Sequence, residues 1–340
     1  MQMRNAVIYG ILLLLLVAGF LLVLFSGNIA IPFKDMVGIL LTGENSTGEW
    51  ITIVREFRLP KAATAVLAGA ALSVSGLQMQ TVFRNPLAGP YVLGISAGAT
   101  LGVALVMMGI STVGMSGMMS NWAIVFASFL GAAAVLMLIF AVSLRIKDVM
   151  TILILGIMFG SITSSLINVL QYFSNESLLK SFTVWTMGSL HSVTSSQLSV
   201  LIPCVTVGLA VSLLSVKSLN ALLLGENYAR SLGVNVIVAR LTIFFSTGIL
   251  AGSVTAFCGP IGFIGIAVPH ICRMLFRTAD QRILFFACII TGAIVMLACD
   301  LISTLPGNGI VLPVNSVTAF IGIPIIIWII VGNQRMSSLM

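Results

Sequence analysis

Of 340 residues, 59% are hydrophobic and only 7% are charged, whereas an ordinary soluble domain is roughly 25% charged. So much apolar side chain exceeds what a water-soluble core uses, which excludes a sizeable soluble domain and leaves a single membrane domain over residues 1–340. The net charge of +7 would suggest nucleic acid in a soluble protein, but in a membrane protein the placement of the cations carries the information, and no nucleic-acid partner is expected.

A bilayer-spanning helix uses about 20 apolar residues. Apolar runs at 6–26, 62–83, 88–109, 122–144, 149–172, 196–216, 238–258, 261–276, 283–303 and 316–332 predict an all-α polytopic protein of about ten transmembrane helices, surrounded by lipid. The first run follows Met1-Gln2-Met3-Arg4 and is longer than the apolar stretch of a signal peptide, without a clear small-residue cleavage site, so it is read as a span. With both termini cytoplasmic, Arg4, Arg84, Arg145, Lys147, Lys217, Arg230, Arg240, Arg273, Arg277, Arg282 and Arg335 fall inside. Lys34, Arg55, Arg58, Lys61 and Lys180 then lie outside, the arrangement the positive-inside rule favours.

Arg55, Arg58 and Lys61 crowd the outer mouth of span two against that rule. Docking of an acidic external partner is expected there in preference to interfacial anchoring. Glycines at four-residue spacing, Gly94/Gly98/Gly102, Gly156/Gly160 and Gly248/Gly252, let helix backbones approach closely in lipid. Two segments break the helical rhythm: 84–90, with Asn85 and Pro86, and 259–265, with Gly259, Pro260 and Gly262. Irregular backbone at membrane depth persists only when buried in protein or lining a wet cavity, which makes both segments candidates for pathway or hinge.

The longest inner loop, 217–240, reads as two short helices hinged at Gly225, with Glu226 and Arg230 an i,i+4 pair and Gly233 a C-terminal stop. Such an amphipathic element suits a groove on a soluble partner; a loop lying on the headgroups is an equal reading from physics alone. A short echo, Arg58-Leu59 with Ala68-Gly69 and Gly76 against Arg240-Leu241 with Ala251-Gly252 and Gly259, has the opposed directions of an inverted internal repeat.

Chemistry-bearing residues are sparse. The five cysteines have no C-x-x-C spacing, so neither metal cluster nor disulfide framework is suggested. His191 and His270 are far apart and belong to no H-E-x-x-H arrangement. The sequence lacks G-x-x-x-x-G-K-[ST], so ATP chemistry by that route requires another subunit, and no catalytic residue is assigned. Asp300 is the one acid inside an apolar span; pairing with an outer cation or capping a helix is expected ahead of ion coupling, although an ion-coupled secondary transporter stands as the alternative function.

Several elements together resemble the FecCD family of permeases, the membrane subunits of type II ABC importers for ferric siderophores, haem and cobalamin. They are Arg58-Leu59-Pro60-Lys61, Ala68-Gly69-Ala70-Ala71-Leu72-Ser73-Val74-Ser75-Gly76, Gln80, Arg84-Asn85-Pro86-Leu87-Ala88-Gly89-Pro90 and Leu93-Gly94-Ile95-Ser96-Ala97-Gly98-Ala99. The likeness continues through Trp185-Thr186-Met187-Gly188-Ser189, Leu224-Gly225-Glu226, Gly259-Pro260-Ile261-Gly262-Phe263-Ile264-Gly265, Pro269-His270, Arg273, Asp300, and Leu312-Pro313-Val314 to Pro324.

The resemblance implies ten spans in the cytoplasmic (inner) membrane and a homodimer with the path at its interface. It also implies two cytoplasmic ATPases holding ATP and Mg, one external substrate-binding protein, alternating access, and no cofactor in this chain. It makes 219–233 the coupling helices, with Leu219, Leu223, Gly225, Glu226, Ala229, Arg230 and Gly233 in that role. Arg58 and Lys61, beside Arg55, would receive acidic side chains of the binding protein. Val149-Met150-Thr151 would form the cytoplasmic gate, and span five, including Ser161, would border the path with 259–270. Ferric siderophore is the first expected cargo, then cobalamin, then haem. Three departures stand out: Lys61 where arginine is common, Thr304 where some members carry a basic residue, and Val311-Leu312-Pro313-Val314-Asn315 without the family's glutamate.

Overall fold

The computed structural model describes residues 2–27, 29, 31–41, 48–109, 121–146, 148–306 and 311–337. Lys147 and the side chain of Arg335, two of the expected inner cations, lie outside that description. In chain order come α1 (Gln2–Phe25), α2 (Phe33–Leu41), α3 (Gly48–Thr52), a π-helical stretch Ile53–Arg58, α4 (Leu59–Val82), a 3-10 turn Pro90–Leu93 and α5 (Ile95–Ala104). They are followed by α6 (Asn121–Arg145), α7 (Val149–Tyr172), α8 (Glu176–Thr186), α9 (Ser195–Leu214), α10 (Val216–Leu223) and α11 (Glu226–Ser231). The chain closes with α12 (Val236–Cys258), α13 (Ile264–Phe276), α14 (Gln281–Ser303) and α15 (Val314–Ser337). Among the described residues seven helices are long and apolar enough to cross a membrane, and Ile95–Gly109, Ile264–Phe276 and Val314–Trp328 are shorter apolar helices. Each of the ten expected spans therefore has its helix.

Side-chain caps fix where several spans begin. Asp148 accepts from the amides of Met150 and Thr151, Thr194 forms a reciprocal capping box with Gln197, Asn235 accepts from Val238, and Asp280 accepts from Arg282. Each relieves amides that a helix N-terminus leaves without an intrahelical partner.

The bundle is built around α4, α12 and α14, whose apolar windows are 83%, 78% and 61% buried, while α1, α7 and α9 lie at 17%, 22% and 28%. Small residues make the central approach possible: Gly69 lies against the Gly292 carbonyl, Gly76 against that of Gly265, and Gly102 against that of Ala127. Lys61 at the start of α4 meets Asp300 near the end of α14. On the same face Ser189 N bonds Cys258 O at the end of α12, 2.8 Å away. The two echoing segments thus lie in antiparallel helices at the heart of the bundle.

Three sequence expectations shift. Span three begins at Ile95 rather than at 88, because Gly94 takes φ +73° and 84–94 forms turns. Span eight begins at Ile264, after Phe263 at φ +68°. Arg55 and Arg58 lie in helical backbone continuous with span two. The helix α8 was absent from the apolar-run reading because it is amphipathic and short.

The two irregular segments pack against each other through 88–91, while Arg84, Pro86 and Leu87 stay exposed. Tyr91 Oη donates to Ile261 O at 2.6 Å and accepts from Ile261 N at 3.2 Å. Gly265 packs on Pro90, Gly262 N bonds Asn315 Oδ1 at 2.9 Å, and His270 Nε2 lies 2.9 Å from Pro86 O. Backbone groups that helices would have satisfied find partners in the neighbouring break, as irregular structure at membrane depth requires.

Candidate functional site

At the face expected outside, the basic cluster is turned inward. Arg58 is buried and donates to the carbonyls of Leu24 (2.8 Å), Phe25 (3.3 Å) and Ile29, closing the C-terminus of α1. Those carbonyls have no intrahelical partner, and a guanidinium satisfies several at once. Lys61 Nζ lies 2.9 Å from Asp300 Oδ2, both side chains being buried, and His191 Nε2 stands 3.9 Å from Oδ1. Neither Asp300 oxygen has a hydrogen-bond donor among the described residues, so Lys61 acts on it as a charge. Burial pushes His191 below its ordinary value, with Asp300 opposing the shift and Lys61 adding to it.

Arg58, Lys61 and His191 line a cavity of about 250 Å³ together with Ser26, Phe57 and Thr304. Arg58 and Lys61, expected to receive acidic side chains of a partner, have their charges engaged within the bundle, and of the three cations Arg55 is the exposed one. The pairing of Asp300 with an outer cation is as expected.

At the face expected inside, the loop 217–240 forms α10 and α11, broken at Gly225 (φ +116°) and ended at Gly233 (φ +82°). Both angles suit glycine. Asn220 fastens α10 to α14 by donating to Asp280 Oδ1 (2.9 Å) and accepting from Gln281 N (2.8 Å). Arg84 Nη2 donates to Leu222 O (3.3 Å) and lies so close to Gly225 that a methyl there would be 2.7 Å from it. Glu226 makes the expected contact with Arg230 (3.6 Å) but a shorter one with Arg240 (2.6 Å).

Leu219 and Ala229 are buried and seat the loop on the bundle, whereas Leu223 is exposed. Sequence reasoning missed three strongly exposed apolar residues of the 219–233 stretch, Leu224 (66%), Tyr228 (51%) and Leu232 (58%). The loop's amphipathic character was the available signal, but it did not identify which face was free.

The segment expected to form the gate lies beside this loop. Val149 and Met150 line a cavity of about 840 Å³ with Arg84, Asp148, Gly225 and Glu226. Asp148 accepts from Thr151 N (2.8 Å) and Thr151 Oγ1 (2.5 Å), and these bonds hold its carboxyl below the usual range. Along α7, Met150, Ile154, Met158 and Ser161 are exposed on one face, with the Ser161 hydroxyl bonded to Ile157 O (3.1 Å). Asn85 is taken up in a turn, its Oδ1 accepting from Leu87 N (2.9 Å). Gly259 (φ +74°) packs against Trp185 O, and Pro260 O lies near Gly188. Asn85, Pro86, Gly259, Pro260 and Gly262 do not line the inner cavity. Among the described residues no cluster of three metal-ligating side chains occurs.

Comparison with known proteins gives one answer. Residues 14–332 match the FecCD transport family. A vitamin B12 import system permease protein of Klebsiella pneumoniae is 35% identical over 333 residues, covering 96% of this chain and 94% of that protein. Its Salmonella typhi counterpart is 34% identical over 304 residues, covering 87% and 91%. A solved structure of an inward-facing metal-chelate type ABC transporter superposes with a TM-score of 0.84 at 27% identity, covering 96% of this chain and 99% of that one. With its bundle of apolar helices and its surface loop of paired short helices, the chain belongs to the FecCD transport family and is the multi-pass permease subunit of an ATP-binding-cassette importer.

Proposed function

We propose that this permease carries a bulky metal chelate, cobalamin or a ferric siderophore, across the cytoplasmic membrane by alternating access. It acts as a homodimer with two ATPases holding ATP and Mg on the inside and one substrate-binding protein outside, both termini being cytoplasmic. The observation that carries the reading is the inner cavity, where the gate residues Val149 and Met150 share walls with Gly225 and Glu226 of the coupling loop. A displacement of the loop has a short route to the gate. Relatives named as vitamin B12 permeases support cobalamin, and the metal-chelate transporter supports the wider class.

Leu224, Tyr228 and Leu232 offer the apolar surface that an ATPase groove would bury. At the outer face, Arg55 is the accessible cation for an acidic binding protein, while Arg58 and Lys61 hold the platform beneath it. Asp300 is neutralised by Lys61 near the outer end of its span, so it does not favour ion coupling.

The test is uptake of labelled cobalamin and of a ferric siderophore into proteoliposomes containing this chain with its ATPase and binding protein. ATP-dependent accumulation that disappears in Glu226→Arg is expected. Accumulation driven by an ion gradient without the ATPase would overturn the proposal.

A further inference from the structure

Four cations gather at the face that carries the loop 217–240, where α1, α10 and α14 begin and α13 ends. Arg4, near the start of α1, donates from Nη2 to the carbonyl of Phe276 (2.9 Å), the last residue of α13, and so lies beside Arg277. Further along α1, Tyr9 Oη donates to Ile283 O (2.7 Å), next to Arg282 at the head of α14. Asn220 of α10 is bonded to Asp280 Oδ1 and to Gln281 N, and Lys217 stands one turn before it on the same helix. The start of α1 and the first turn of α10 are thus both fastened to the short connection between α13 and α14.

Arg4, Lys217, Arg277 and Arg282 are all exposed, and among the described residues none of their side chains forms a salt bridge. Asp280 is the acid among them, and its Oδ1 is already taken by Asn220 Nδ2 and the Arg282 amide, both at 2.9 Å. Four positive charges against one negative leave the patch attractive to anions. The adjoining surface is apolar. Val7, Ile11 and Leu14 follow Arg4 at helical spacing, which sets them on one face of α1, and all three are exposed. Because α1 crosses the membrane, this stripe lies at hydrocarbon depth and the cations at the headgroups, where long basic side chains reach.

We propose that this patch binds an anionic phospholipid, its phosphate held by Arg4, Arg277 and Arg282 with Lys217 beside it, and one acyl chain lying along Val7, Ile11 and Leu14. The site goes beyond the importer reading and needs neither its cargo nor its ATPases. A soluble anion meets the charges but leaves the stripe empty. A zwitterionic lipid covers the stripe but brings a cation of its own to the patch. A lipid of net negative charge satisfies both, and once bound it ties the first span to the connection before α14 and to the start of the loop.

The test is lipid retention by the purified full-length permease in neutral detergent, titrated with dioleoyl phosphatidylglycerol or dioleoyl phosphatidylcholine and read by native mass spectrometry. Phosphatidylglycerol is expected to bind the parent at least tenfold more tightly than phosphatidylcholine, since each basic residue near a membrane surface contributes roughly fivefold toward anionic lipid. Arg277→Gln with Arg282→Gln, whose side chains make no hydrogen bond among the described residues, is expected to weaken that binding at least tenfold. Arg145→Gln with Arg230→Gln, which removes the same charge elsewhere on that face, is expected to stay within twofold. Raising salt from about 0.05 to about 0.5 M is expected to release phosphatidylglycerol from the parent and to leave phosphatidylcholine in place, a readout that needs no variant to fold. Excess glycerol 3-phosphate is expected to leave the lipid bound. The proposal is overturned if the two lipids bind the parent within twofold of each other, or if the control pair weakens binding as much as the patch pair. It is overturned equally if glycerol 3-phosphate displaces the lipid, which would make the site one for a soluble anion, or if the lipid is lost once the ATPases are bound, which would assign the patch to them.

Discussion

Asp300→Asn is expected to cost this permease more stability than any exposed acid-to-amide change, although it removes one charge and adds no bulk. The carboxylate is fully buried, lies 2.9 Å from Lys61 Nζ, and has no hydrogen-bond donor among the described residues. Removing it leaves a buried ammonium uncompensated, a change that costs about 3–5 kcal/mol. Lys61→Met leaves the converse, a buried carboxylate, and belongs in the same range. The double variant Lys61→Met, Asp300→Leu removes both charges and keeps much of the volume, so it is expected to fall within about 1 kcal/mol of the parent or above it. A coupling energy of about 3 kcal/mol or more then follows from the cycle. Reversible unfolding of the purified permease in mixed micelles, followed by tryptophan fluorescence, measures all four corners. Single variants that each cost under about 1 kcal/mol and combine additively would show that water or another group already solvates the pair, and the structural account of this cluster would fail.

Other expectations follow from the same geometry. Because burial lowers the His191 pKa from its ordinary 6.5, the folded protein disfavours the protonated ring. The contribution is fully present above 6.5 and is lost as pH falls through the lower folded value, so thermal stability should fall more steeply with acidification in the parent than in His191→Gln. Gly76→Ala should block folding or cost at least about 3 kcal/mol, since its methyl would overlap the Gly265 carbonyl, whereas Gly10→Ala, with nothing within 4 Å, should be silent; expression and melting temperature decide this. Tyr228→Asp should reduce co-purification of the ATPase without lowering the permease's own melting temperature, and equal losses in both would refute the exposed-face assignment. Arg55→Glu should weaken binding-protein affinity at low salt more than at high salt, as measured on immobilised permease.

The spans were legible because apolar runs of bilayer length have few alternatives, and the loop at 217–240 because Gly225 and Gly233 punctuate a short amphipathic stretch. Partners across long sequence separations were not. Arg58 on the α1 carbonyls lies 34 residues from Leu24, and Glu226 with Arg240 spans 14. A local i,i+4 partner, Arg230, was visible and took the assignment, whereas the buried arginine needs the carboxylate more, having no water to replace it. The internal partners of Arg58 and Lys61 were illegible for a similar reason: charge at a membrane face is ordinarily solvent-directed, and only the fold brings Asp300 and the end of α1 to them.

Tyr91 supplies one last consequence. Its hydroxyl both gives and takes a hydrogen bond with the same residue, Ile261, 170 positions away. A two-way fastening at 2.6 and 3.2 Å leaves a few tenths of an ångström of slack before one bond exceeds its limit. The breaks on either side therefore do not act as two independent hinges. Displacing one break is therefore expected to carry the other with it, since the shared fastening allows little relative travel.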